Sequence, residues 1–268
     1  MLQPEILEKE RAIMPVLRLA FRPFFLLPAM LSIIAVIIWL AVLTGELGWQ
    51  AALPANIWHG HEMIFGFAAS IAVGFLLTAA QTWTGIRSIN GIKLAVMILL
   101  WVVARAALFS SSPFGLIIGI VSEGLWWLIS IGYLAYMVIR SNNRRNLVFL
   151  PMLSIIMLLD LATLLFAVTG NPGLSSQLSY GAVFMMTCVV TVVGGRVIPF
   201  FTTRALNLDT IKANILLEWG IALMMVLSFV SFILSYFIPI SSILAVLQLC
   251  TGCLQIVRMR NWQTVKTM

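Results

Sequence analysis

Eight unbroken apolar stretches, each about 18 to 26 residues long, occupy most of this 268-residue chain. As a helix rising 1.5 Å per residue, a stretch of that length crosses a hydrocarbon core of roughly 30 Å. The stretches are Phe24–Leu43, His59–Ala80, Ile92–Phe109, Phe114–Ile139, Leu147–Thr169, Leu178–Phe200, Asn214–Phe237 and Pro239–Val257. The last two are parted only by Tyr236-Phe237-Ile238-Pro239, a weak break at which they could also merge. Hydrophobic residues make up 62% of the chain and charged ones 9%, against about 25% charged in an ordinary soluble domain. The solvent is therefore lipid, and the fold expected is all-α: a polytopic transmembrane helical bundle of about eight spans.

A net charge of +7 would suit nucleic acid if it formed one patch, but its distribution excludes that partner. Lys9, Arg11, Arg18 and Arg22 precede span one; Arg87 lies between spans two and three, and Lys93 at the start of three. Arg140, Arg144 and Arg145 separate four from five; Arg204 and Lys212 separate six from seven; Arg258, Arg260 and Lys266 follow eight. The alternate connections carry no Lys or Arg. By the positive-inside rule both termini are expected in the cytoplasm. Residues 1–23 then form a cytoplasmic N-terminal segment, 24–257 one transmembrane domain and 258–268 a cytoplasmic tail. Span one is too long for a cleavable signal and reads as a signal-anchor.

Short connections rich in turn residues, such as Asn171-Pro172-Gly173, imply an up-and-down bundle. The longest, Thr44 to Trp58, carries Trp49 and Trp58 and is expected to lie at headgroup level on the outer side. Gly66, Ser70 and Gly74 form a small-residue row on span two, and Gly115 and Gly119 form one on span four that continues to Glu123. Such rows let helices approach closely in lipid. Cys188, Cys250 and Cys253 all lie within spans, so no disulfide framework is indicated.

Both histidines of the chain sit at the start of span two, in Trp58-His59-Gly60-His61-Glu62-Met63. On one helix His59, Glu62, Met63 and Gly66 share a face, whereas His61 points roughly 200° from His59. One helix cannot aim both imidazoles at one ion unless it unwinds near Gly60. Either the histidines simply hydrate at the membrane edge, or His59, His61, Glu62 and Met63 include ligands for iron, copper or zinc, the Met63 sulfur suiting Cu(I). Two histidines are too few for a haem–copper oxidase core or a four-helix di-haem cytochrome.

Four further ionisable residues fall within spans: Arg105, Glu123, Asp160 and Arg196. Charges in hydrocarbon are costly and are expected to face the bundle interior and pair. Arg105 with Glu123 makes one such pair. Glu123 and Asp160, each roughly 15 Å from the outer side, could alternatively form a proton or cation relay. Arg196 precedes Pro199, which removes a helix donor, so its guanidinium is placed to satisfy a freed carbonyl. Glu218 is a further possible neighbour of Arg196.

Several segments together resemble the NnrS family of bacterial integral membrane proteins. They are Phe21-Arg22-Pro23-Phe24-Phe25, Trp58-His59-Gly60-His61-Glu62-Met63-Ile64-Phe65-Gly66-Phe67, Gly74-Phe75-Leu76-Leu77-Thr78-Ala79, Trp83-Thr84-Gly85 and Gly195-Arg196-Val197-Ile198-Pro199-Phe200-Phe201-Thr202. The resemblance implies an inner-membrane protein containing haem and copper and associated with the response to nitric oxide and nitrosative stress. It implies no established catalytic reaction. It makes His59, His61 and Glu62 metal-site candidates, and Arg196 a motif residue without an assigned role. Arg105, at the depth of the histidines, would be the cation for a haem propionate.

Members of that family look like twelve-span proteins, and Arg258-Met259-Arg260-Asn261-Trp262-Gln263 resembles the lead-in to their remaining helices. This chain is then a naturally short member, a truncated reading frame or one half of a split protein; the partners implied are nitric oxide or its iron complexes and, for a split protein, a separate chain supplying further helices. Two other functions fit the residues: an ion-coupled secondary transporter using Glu123 and Asp160, and a non-catalytic membrane assembly protein whose charges only pair helices.

Overall fold

The computed structural model describes residues 12–207 and 214–262; Lys9, Arg11, Lys212 and Lys266 lie outside them. The described residues form helices long and apolar enough to cross a membrane, eight in number, as expected. They are α1 (Phe21–Leu43), α2 (Ala55–Thr84), α3 (Gly91–Leu108), α4 (Pro113–Arg140), α5 (Phe149–Val168), α6 (Pro172–Ala205), α7 (Ile215–Leu234) and α8 (Ser241–Asn261). Proline opens α4 and α6, where its missing N–H would be unpaired anyway. Gly85 closes α2 in the left-handed conformation, with its N–H on Gln81 O. Asn214 caps α7 by accepting from the N–H groups of Leu216 and Leu217. The weak break after α7 is real: residues 235–240 are non-helical and part it from α8.

The chain divides into two compact units, with the boundary between Ala182 and Val183 of α6. In the first, large side chains including Phe24, Phe65, Leu76, Trp126 and Trp127 are fully buried, while Ile33, Ile37 and Leu40 of α1 face outward. An apolar exterior over a core that also holds polar groups is the arrangement lipid selects.

The small-residue rows serve three different purposes. At Gly74 a Cβ would stand 2.7 Å from Phe24 Cβ, so this glycine sets the approach of α1 to α2. Ser70 Oγ accepts from Trp101 Nε1 at 2.8 Å, joining α2 to α3. On α4, a Cβ at Gly119 would meet the Leu108 side chain at 2.8 Å, so α3 and α4 pack closely and bring Glu123 to Arg105.

The connection between α1 and α2, expected at headgroup level, folds into an aromatic plug. Helix α2 already begins at Ala55, and Trp58 is only 3% exposed. Trp49 and Trp58 pack with ring centroids 5.0 Å apart, Phe109 packs on both, and Trp49 Nε1 donates to Leu53 O at 2.7 Å. Ala52 N donates to Ser110 O, tying this aromatic plug to the α3–α4 connection.

Candidate functional site

Between Glu62 and Ala69, α2 is π-helical, with α-helix on both sides. The wider turn begins immediately after His61, and Ser70 Oγ donates to Phe65 O at 3.2 Å within it. From this point His61 reaches α5 while Glu62 reaches α3. His61 is wholly buried, packs on Phe65, and its Nε2 lies 2.6 Å from Asp160 Oδ1. The other oxygen of Asp160 accepts from Trp127 Nε1 of α4 at 2.7 Å. Facing an ionised Asp160, His61 donates through Nε2; Nδ1 is then an acceptor in the neutral ring and a second donor in the protonated one.

Glu62 Oε2 accepts from Arg105 Nη1 at 3.0 Å, and Arg105 Nη2 pairs with Glu123 Oε2. Glu62 and Glu123 are 1% exposed, Asp160 not at all, and Arg105 8%. Glu62 Oε1 stands 3.7 Å from His61 Nδ1, too far for a hydrogen bond, and both atoms are buried without another partner. The result is one continuous set, Glu123–Arg105–Glu62–His61–Asp160–Trp127, carried by four helices. Its three carboxylates face a single guanidinium. Even with His61 protonated, negative charge exceeds positive by one.

Gly66 makes room for the set. A Cβ there would lie 2.6 Å from Glu62 Oε2 and 2.8 Å from Arg105 Nη1. The expected Arg105–Glu123 pair is thus present, and Glu123 and Asp160 stand at opposite ends of the same network. Trp127 and Gly66 are the members that sequence reasoning did not assign to the centre; a tryptophan amid buried acids is the signal that points to the first.

The other predicted ligands go elsewhere. His59 is half-buried, its ring stacked on Trp39 of α1 with centroids 5.0 Å apart. Met63 packs against the cluster of Ala35, Leu53, Trp58, Leu108 and Leu164. The 200° separation of the two imidazoles is kept, and the π-helical turn opens only after both.

In the second unit, Arg258 is 4% exposed, inside α8 rather than in a tail. Its guanidinium grips Glu218 of α7, Nε to Oε1 at 2.7 Å and Nη2 to Oε2, and Nη1 donates to Thr191 O at 3.0 Å. Gly195 is the cradle: a Cβ there would fall on the guanidinium. So the glycine of the Gly195-Arg196 motif serves Arg258, and Glu218 lies against Arg258. Arg196 itself is half-buried on α6.

A family model described as NnrS protein matches residues 15–268. No curated protein and no solved structure matches the chain. Haem and copper, which the resemblance implies, can be set against the side chains in place. Among the described residues no three of His, Cys, Asp and Glu converge as metal donors. The His61 imidazole is enclosed by Asp160, Glu62 and Phe65, leaving no slot for a porphyrin face, and Arg105 is committed to two carboxylates. As arranged, these residues do not fit either group.

Proposed function

The chain belongs to the NnrS family, and from that premise we propose a multi-pass protein of the bacterial inner membrane that acts in the response to nitric oxide and nitrosative stress. Its working part is the buried centre of His61, Glu62, Arg105, Glu123 and Asp160, with nitric oxide or an iron complex of it as the species met. The observation that carries this reading is a run of charged groups across four helices, with two buried and unpartnered atoms, His61 Nδ1 and Glu62 Oε1, at its one gap. A merely structural ion pair closes on itself; this one leaves Nδ1 and Oε1 facing each other. In the orientation expected from the basic connections, the plugged end of the bundle faces away from the cytoplasm.

The test is growth of a strain lacking this chain, complemented with variants and challenged with a nitric oxide donor. His61→Ala and Asp160→Asn, at wild-type abundance in the membrane, should not restore growth. His59→Ala should, because His59 lies outside the network. Full protection by His61→Ala and Asp160→Asn would overturn the assignment of the centre.

The charge imbalance favours a second reading, an ion-coupled carrier. Three carboxylates around one guanidinium in hydrocarbon call for a further proton or cation. Purified protein in vesicles would then show pH-linked flux, abolished by Asp160→Asn and Glu123→Gln; its absence from the wild type rejects this reading.

A further inference from the structure

We propose that the turn between α2 and α3, with the C-terminal part of α4, forms a binding site for the phosphate headgroup of an anionic phospholipid. A cavity of about 840 Å³ lies here, within the size range of small-molecule sites. Among the described residues it is lined by Arg87 and Lys93, by Asn90 to Ile92 at the start of α3, and by Tyr133 and Tyr136, and none of the described lining residues is acidic.

Two features suit a phosphate. The first-turn N–H groups of α3 have no side-chain cap, because the Asn90 amide donates instead to Ser88 O at 2.8 Å. Such a helix end attracts anions through its open donors and its dipole. Arg140 adds a third cation at the rim, its guanidinium 5.8 Å from the Tyr136 ring.

The remaining wall favours a lipid over a free anion. Ile92 is 78% exposed and Ile129 lines the cavity beside it, giving an acyl chain an apolar path down the outside of membrane-spanning helices. Tyr136, 49% exposed, has the amphipathic ring typical of the interface. Basic pockets between spans at this level are where anionic headgroups bind. Gly132 on α4 opens onto free space, since a Cβ there would meet nothing within 4 Å.

The experiment is native mass spectrometry of the full chain released from bilayers of mixed phosphatidylglycerol and phosphatidylcholine. Wild-type protein should retain phosphatidylglycerol in preference. Arg87→Gln and Lys93→Gln should each lower that retention about fivefold. Gly132→Leu should lower it by filling the cavity, with no change of charge and with an unchanged melting temperature in phosphatidylcholine. Arg144→Gln, outside the cavity, should retain wild-type preference. Equal retention by Gly132→Leu and wild type overturns the proposal, as does an equal loss in Arg144→Gln, which would mark general surface attraction. Displacement of the lipid by millimolar inorganic phosphate would assign the site to a free anion and reject the lipid.

Discussion

Replacing Gly66 by alanine tests whether the pairing of Glu62 with Arg105 depends on the missing side chain. The added methyl would stand 2.6 Å from Glu62 Oε2 and 2.8 Å from Arg105 Nη1, whereas ordinary contact begins near 3.4 Å. Both ends of the 3.0 Å bond would have to retreat together. Losing one charge-assisted hydrogen bond costs about 1.5–3 kcal/mol. Alanine returns about 1 kcal/mol of helix propensity. The net effect expected is destabilisation by about 0.5–2 kcal/mol. Gly60→Ala is the matched control, since a Cβ at Gly60 meets nothing within 4 Å, and it should stabilise the protein by up to about 1 kcal/mol. Reversible unfolding in mixed micelles measures both. In a Glu62→Gln background the Gly66→Ala penalty should shrink, because both changes act on one bond. If Gly66→Ala proved as stable as Gly60→Ala, or its penalty were unchanged beside Glu62→Gln, the account of Gly66 would be wrong.

Gly195→Ala should displace the Arg258 guanidinium and destabilise the second unit as much as Arg258→Gln does, with little further loss when the two are combined; unfolding midpoints of the three variants decide it. Trp127→Phe removes a donor from buried Asp160 and should cost about 1–3 kcal/mol while perturbing the His61 imidazole resonance in NMR; an unchanged resonance would separate Trp127 from the centre. In a background with Cys250 and Cys253 replaced by serine, a membrane-impermeant maleimide added outside intact cells should label Ser112→Cys but not Asn143→Cys. The reverse pattern would put the aromatic plug on the cytoplasmic side.

The spans were readable because lipid removes the ambiguity of ordinary sequence patterns: a helix must be long and apolar, and every charge inside it must pair. That logic also found Arg105 and Glu123, which the Gly115–Gly119–Glu123 row sets against α3. It could not find the bond between His61 and Asp160, 99 positions apart, because depth in the membrane does not say which helices are neighbours. Nor could it separate Glu62 from a metal-ligand role, since Arg105 reaches Glu62 only where Gly66 leaves space. The π-helical turn carries no pattern of its own. Arg258 read as a tail residue because its partners, Glu218 and the Thr191 carbonyl, belong to other helices.

The widened turn after His61 has a consequence for how this helix can change. A π-helical turn holds one residue more than the α-helical path it replaces. Deleting a single residue between positions 62 and 69 would therefore restore a regular helix at little local penalty. Because both paths join the same flanking turns, that excision would leave His61 facing Asp160 and the aromatic plug in its seat. Only side chains inside the widened turn would be aimed anew. The extra residue thus sets where the turn's own side chains point, and not where the flanking helix does.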